Sequence, residues 1–465
     1  MSQKENRITR RIKQISVTDL FGIFHHVIPL NMDERITIIH GPNGFGKTII
    51  LRILNDLFSQ ETINFLLPND FFSYKGSALR TIPFSEFRVD FEDGTSFWVT
   101  KTSNGHKFKD LKQPQQKITI YATQKGIQTS YELEASSQLS TIRSMSGSQQ
   151  RFLREFERID IDRWHNNFTD EDLSFEEVTK LFGKHLPLTM SIHEKEPGWL
   201  KEMINSVEIR FIETQRLLNH TKGRGYIEDN EQMEPMVKAY SEDLAGNIKS
   251  TLAKSVELSQ SLDSTFPSRV VNFTAQHDLS EQALLSRLQE LEDKRARLTK
   301  VGLLDQEGSN VQYQNMDDRT RLILSVYVED VEKKLAVFDE IANKIDLLAR
   351  IINKRFSYKQ IAISKEQGFI FTTSNGATLS PTDLSSGEQH ELVLFYELLF
   401  KVAPGSLILI DEPELSLHVA WQMEFLKDLK EIADLADLDV LIATHSPQII
   451  HDRWDLTVRL EGPEK

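Results

Sequence analysis

Gly41-Pro42-Asn43-Gly44-Phe45-Gly46-Lys47-Thr48 has the spacing G-x-x-x-x-G-K-[ST], and its reading decides the fold of this chain. The residues before it, Ile36 to His40, are β-branched and apolar enough for a short buried strand. After it, Ile49 to Phe58 place apolar side chains at helical spacing. Strand, glycine loop and helix thus come in the order that a phosphate cradle needs. Glycines let successive backbone N–H groups turn inward on a polyphosphate at a helix N-terminus, whose dipole favours negative charge. All eight residues are expected to line a nucleotide, with Lys47 reaching the β- and γ-phosphates and the Thr48 hydroxyl ligating Mg2+. An isolated Gly-rich turn also matches this pattern, so the reading requires a second half of the site elsewhere.

Composition sets the frame around that loop. A chain of 465 residues with 39% hydrophobic content can bury the core of one large domain or two to three ordinary ones. A formal net charge of -14 argues against a surface that attracts nucleic acid or acidic lipid as a whole, while leaving room for local basic patches. The absence of cysteine excludes a disulfide framework, a thiolate metal site and a cysteine nucleophile. The first residues, MSQKENRITRRIK, are too charged for a signal peptide, and no run reaches the length of a spanning helix, so a cytoplasmic protein without membrane partners is expected.

From Arg10 to Thr48 the pattern is strand, turn, strand and phosphate loop. Four strand-like segments follow, Phe84 to Phe91, Thr95 to Lys101, Lys117 to Thr123 and Ile127 to Leu133, which predict an antiparallel sheet beside the loop. Ala135 to Lys201 is charged and weakly periodic and reads as short helices. Val207 to Thr214 returns to strand character and runs into Gln215-Arg216, a position that either aims Gln215 at a metal or phosphate or caps the strand at the surface. Glu234 to Leu262 and Ser280 to Leu304 read as helices, the second with a seam of Leu284, Leu288, Leu291 and Leu298. A longer seam, from Leu324 through Val328, Val331, Leu335, Phe338, Ala342, Ile345 and Ala349 to Ile352, keeps heptad spacing. The two predict an antiparallel pair forming a short coiled-coil hairpin; either helix taken alone also fits one that lies on the globular core. Lys359 to Ile363 and Phe369 to Thr373 read as a hairpin.

The last quarter supplies the second half of the site. Leu407-Ile408-Leu409-Ile410-Asp411-Glu412-Pro413 is an apolar strand ending in two carboxylates, of which Asp411 can hold a Mg2+ shell and Glu412 can orient or deprotonate water. Strand Asp439 to Ala443 is followed by Thr444-His445-Ser446-Pro447, which puts His445 beside Glu412 and within reach of a γ-phosphate. Ser385-Ser386-Gly387 opens the apolar helix Leu392 to Val402 and is a second anion-binding design. Since each chain already has a phosphate loop, this second anion site suggests ATP held between two chains.

In this order, phosphate loop, LSSGEQ, LILIDEPE, the turn Glu414-Leu415-Ser416-Leu417-His418 and ATHSP, the chain resembles the ABC-type ATPase superfamily, on the branch that includes RecF, the SMC-like repair proteins and the ATPases of the overcoming-lysogenisation-defect type. The resemblance implies an α/β head with a mixed sheet, an antiparallel β subdomain and a helical insertion. It implies that Ser385, Ser386 and Gly387 act on the nucleotide of a partner chain, and that the turn from Glu414 to His418 touches that partner. Glu412 and His445 become the catalytic pair; Thr48, Asp411 and Gln215 become the metal side, with ATP and Mg2+ as ligands. Two departures stand out: Ser386 replaces a glycine of the usual signature, and Phe45 stands where a small serine is usual.

On this reading residues 1–215 form a first ATPase lobe with a helical insert, 216–356 a helical coiled-coil insertion, and 357–465 a second lobe. About 330 residues separate the phosphate loop from LSSGEQ, more than a transporter's helical subdomain needs and fewer than a long DNA tether requires. About twenty residues follow His445, so no nuclease domain is expected in this chain. Such an ATPase resembles those of two-gene antiphage systems, the AriA family of PARIS first and the PtuA family of Septu next, on RITIIHGPNGFGKT, RFIETQRLL and IDEPELSLH. That resemblance implies a homo-oligomer that holds a separate Toprim-type, AriB-like nuclease and releases it on sensing a phage protein that mimics DNA. The alternative is a RecF-like DNA-binding repair ATPase, whose phosphate contacts would come from the basic runs Arg7 to Lys13, Lys294 to Lys300 and Lys354 to Lys359.

Overall fold

The structure is a computed structural model that describes residues 9–59, 78–103, 116–133, 156–160, 163–166, 171–174, 197–212, 236–272, 280–305, 316–415 and 417–462. Its centre is a parallel sheet of five strands in the order β11 (Ile209–Ile212), β15 (Leu407–Asp411), β16 (Asp439–Thr444), β3 (Ile36–His40) and β17 (Thr457–Arg459). Parallel strands covered on both faces read as unbroken apolar runs, as Leu407 to Ile410 does. Alternate residues serve opposite cores. Ile38, Ile408, Ile410 and Ile442 pack into one, and Ile39, Leu407, Leu409 and Leu441 into the other.

The second of these cores is closed by helix α1 (Lys47–Phe58), by α3 (Gly198–Ile204) and by an antiparallel sheet of six strands. Its order is β2 (Phe24–Pro29), β1 (Ile12–Leu20), β4 (Glu86–Phe91), β5 (Ser96–Ser103), β6 (Gln116–Gln124), β7 (Ile127–Leu133); the short α2 (Ala78–Thr81) precedes β4. The expected α/β fold and its antiparallel sheet are therefore present, with β1 and β2 added to the four strands expected.

The first core takes the remaining helices: α4 (Met236–Val271), α5 (Glu281–Lys300), α6 (Asp318–Ala336), α7 (Asp339–Arg355), α8 (Ser386–Tyr396) and α9 (Val419–Ala436). The hairpin of β12 (Lys359–Ser364) and β13 (Gly368–Thr373) is as expected, with β14 (Thr378–Leu379) at its edge and a short α10 (Pro447–Ile450) near the end of the chain.

Two expectations need correction. Within Ala135 to Lys201, read as short helices, β8 (Phe156–Asp160), β9 (Arg163–Asn166) and β10 (Glu171–Ser174) form a small antiparallel sheet. Strands of four or five residues carrying this much charge are too short to display a period of two. The long seam from Leu324 to Ile352 also does not run on one helix: it breaks at Val337-Phe338, between α6 and α7. Neither glycine nor proline marks that break, and the buried positions stay in phase across it, so spacing alone passes straight through. Helix α6 packs on both α5 and α4, whereas α7 lies on α9 and β12. Seam residues Leu284, Leu288, Leu291, Val328, Val331 and Leu335 are continuous with the core on one face of the parallel sheet, where a two-helix arm was expected.

Candidate nucleotide site

Register builds the site. His40 at the end of β3 is level with Thr444 on β16, and Asp411 at the end of β15 is level with Ala443. The three following segments, beginning at Gly41, Glu412 and His445, therefore leave the carboxyl edge of the sheet side by side, where open α/β sheets hold their ligands.

Gly46 caps α1 with φ +89, and a Cβ there would lie 2.5 Å from Leu20 Cδ2. Only glycine meets both demands without strain. The Lys47 ammonium is buried and folds back into its own loop, donating to Gly41 O at 2.7 Å and Pro42 O at 3.1 Å. Phe45 turns inward: its ring sits 5.3 Å from that of Phe24 and against Gly462, and its carbonyl oxygen lies 3.1 Å from His26 Nε2. Burial lowers the His26 pKa, which favours the neutral ring as an Nε2–H donor to that carbonyl. Pro42, Asn43 and Gly44 are exposed at the tip of the loop.

Thr48 Oγ1 donates to Asp411 Oδ1 at 3.0 Å, joining residues 363 positions apart. Desolvation raises the Asp411 pKa; the Thr48 hydrogen bond opposes this and the neighbouring Glu412 adds to it. A hydroxyl beside a carboxylate short of hydration suits a hard cation whose remaining ligands are phosphate oxygens and water. Among the described residues no group of three or more His, Cys, Asp or Glu has metal-holding geometry by itself. Gln215, the third expected metal residue, lies outside the described residues.

Glu412 holds φ +44, a left-handed backbone for a residue with a side chain, and its N–H donates to Ala443 O at 2.8 Å. Backbones of this kind cost about 1–3 kcal/mol and are retained where surrounding structure demands them. His445 Nδ1 lies 3.6 Å from Glu412 Oε1 and 3.2 Å from Glu414 Oε1. Glu414 was expected at a partner surface; instead its carboxylate turns inward, accepting from Thr444 Oγ1 at 2.8 Å and from the His445 N–H at 3.2 Å. The exposed Leu415 next to it keeps the outward direction. Sequence reasoning placed Glu414 in an outward turn and passed over His26, which no motif spacing singles out.

Ser385 and Ser386 are exposed, and nothing lies within 4 Å of where a Gly387 Cβ would stand. Ser385 caps α8 in a capping box with Glu388, which is itself ion-paired to Lys359 at 2.7 Å. α8 belongs to the core on one face of the parallel sheet and α1 to the core on the other. Among the described residues no hydrogen bond or ion pair links Ser385, Ser386 or Gly387 to the phosphate loop. The structure thus brings together Gly41 to Thr48, Asp411, Glu412 and His445, and leaves the three signature residues apart.

This geometry is that of a candidate nucleotide site. The chain matches the AAA ATPase domain family over residues 11–450 and belongs to it. A stretch of 124 residues, 26% of this chain, is 30% identical to protein ea59 of Escherichia phage lambda, and it spans only 23% of that protein. The SMC head domain from Thermotoga maritima is similar at 11% identity over 97% of this chain and 94% of that one, with a TM-score of 0.29. An Smc head domain with an extended coiled coil, bound to the C-terminal domain of ScpA and derived from Pyrococcus furiosus, is similar at 13% identity over 95% and 91%, again with a TM-score of 0.29. TM-scores this low bear on neither fold nor function. No helix among the described residues is long and apolar enough to cross a membrane.

Proposed function

We propose that this chain binds ATP in the loop Gly41 to Thr48 and hydrolyses it in an ABC-type sandwich of two copies, each completing the other's site through Ser385, Ser386 and Gly387. The observation that carries the ATPase reading is the 3.0 Å bond from Thr48 Oγ1 to Asp411 Oδ1, which joins the two halves of a phosphate site from opposite ends of the chain. On this reading Lys47 exchanges its two loop carbonyls for β- and γ-phosphate oxygens. Thr48 and Asp411 would hold Mg2+, which supplies charge neutralisation on those oxygens. Glu412 orients the attacking water and takes its proton, and His445 donates to the γ-phosphate. The sandwich is supported by the exposure of Ser385 and Ser386 and by the placement of α1 and α8 in cores on opposite faces of one sheet.

The sandwich is tested by mixing two inactive variants, Lys47→Ala and Ser385→Arg. In mixed dimers one of the two sites is intact, so phosphate release should return to about a quarter of the wild-type rate, the statistical share in a two-fold dimer. No recovery in a mixture that does exchange subunits would refute it. Glu412→Gln should lower phosphate release by about 10²–10³-fold with ATP still bound; unchanged release would remove the catalytic assignment.

The biological reading, drawn from the resemblance, is a cytoplasmic sensor and scaffold of antiphage defence that holds a separate Toprim-type nuclease and frees it on meeting a phage protein. Against the RecF-like alternative, two of the basic runs that would meet DNA have most of their charges engaged within the chain. Lys294 pairs with Asp339 at 2.6 Å, Arg297 with Asp346 at 2.5 Å, and Lys359 with Glu388. Arg355 is buried against Glu391 and Asp428. Purification at native abundance decides between the two: a co-purifying nuclease supports defence, and salt-dependent duplex binding by the protein alone supports repair.

A further inference from the structure

We propose that Glu414 is a positioning residue for His445: it fixes the backbone at Thr444-His445 by two hydrogen bonds and lies beside Nδ1, so that the opposite edge of the ring, with Nε2, faces the phosphate. The inference rests on the ATPase reading of the site. The Glu414 side chain is 7% exposed against 30% for Glu412. Oε1 accepts from the Thr444 hydroxyl and the His445 N–H and lies 3.2 Å from His445 Nδ1. Oε2 is buried and has no hydrogen-bond partner among the described residues.

A buried carboxylate with one oxygen unserved is costly unless a cation shares its charge. The groups facing His445 are Glu412 and Glu414. Nearby, Asp411 is bonded to Thr48, and Lys47 is turned onto the loop carbonyls. Among the described residues His445 is the one basic group within ion-pair distance of Glu414. With Nδ1 beside Glu414, Nε2 lies at the far end of the ring. Glu414 therefore sets where His445 Nε2 meets a phosphate oxygen, a role separate from the one proposed for Glu412.

The test compares Glu414→Gln, His445→Ala and the double variant by steady-state phosphate release, ATP affinity and thermal melting. Glutamine keeps the shape and the Oε1 acceptor and removes the charge. Glu414→Gln should lower kcat about tenfold, the worth of one charge-assisted hydrogen bond, with ATP affinity within about twofold and melting unchanged. In the His445→Ala background the same change should have no further effect. An equal loss of kcat in both backgrounds, a loss that tracks melting, or wild-type kcat in Glu414→Gln would each overturn the proposal. A second readout needs no activity: in 15N-histidine spectra, the signal missing from His445→Ala should move on Glu414→Gln, and an unmoved signal overturns the inference. Glu412→Gln measured alongside separates the two failures, because unchanged phosphate release there removes the ATPase reading itself.

Discussion

Arg355 closes α7, Glu391 lies in the middle of α8 and Asp428 in α9, and their side chains meet at exposures of 3%, 0% and 4%. The guanidinium pairs with both carboxylates, and neither oxygen of Glu391 has any other hydrogen-bond partner among the described residues. This buried triad fastens the helix that opens with Ser385-Ser386-Gly387 to the helical insertion and to the helix after the Asp411-Glu412 strand. In Arg355→Met the Glu391 carboxylate keeps its burial and loses its cation. Its escape is to bind a proton. For a carboxyl that titrates near pH 4.3 in water, protonation at pH 7 costs about 1.36 × 2.7, or about 3.7 kcal/mol. That lies within the roughly 3–5 kcal/mol expected for breaking a buried pair from one side.

The sign follows from linkage. The variant's folded state binds a proton that its unfolded state releases, so the loss is absent below the unfolded pKa and grows as pH rises above it. At pH 5.5 the cost should fall to about 1.6 kcal/mol. With an unfolding entropy of roughly 2.1 cal/mol/K per residue and cooperative unfolding of the chain, Tm should drop by about 4 °C at pH 7 and by less than half of that at pH 5.5. Calorimetry at the two pH values measures both numbers. A drop below about 1 °C at pH 7, or a deficit independent of pH, would refute the assignment of a buried charge triad.

Three further outcomes follow from the same geometry. Burial and Glu412 raise the Asp411 pKa, so the stability linked to this group is greatest at low pH and is lost as pH rises through the folded pKa. Asp411→Asn keeps the acceptor for Thr48 and should raise Tm at pH 7 by about 1–2 °C while abolishing phosphate release; an unchanged or lower Tm contradicts the burden assigned to that charge. At Gly368, with φ +74, a Cβ would stand 1.9 Å from the Ser241 carbonyl oxygen, so Gly368→Ala must move backbone and should cost about 3 kcal/mol in denaturant unfolding. Phe45→Ser removes the ring held between Phe24 and Gly462 and should weaken ATP binding several-fold through a looser loop, while the loop carbonyl still meets His26; calorimetric titration measures this, and unaltered affinity would show the ring to be dispensable.

Much of this was legible in the chain. Glycine spacing, apolar runs ending in carboxylates and the order of strands and helices are local properties, and they defined the phosphate loop, the Asp411-Glu412 strand end, His445 and most of the strands. The short charged strands between Phe156 and Ser174 were not legible, because four or five residues cannot show a period. The break at Val337-Phe338 was not, because heptad phase survives it. Glu414 was taken for a surface turn residue because its neighbours are.

What the sequence determined by itself was chemistry along the chain: which backbone can wrap a phosphate and which strand ends carry acid. The tertiary structure decided what lies opposite what. Parallel register set Gly41, Glu412 and His445 on one edge; alternation of side chains across that sheet put α1 and α8 in opposite cores; and a turn two residues past Glu412 sent Glu414 inward to His445. Pairings across hundreds of residues depend on which surfaces are buried together, a property that no local pattern contains.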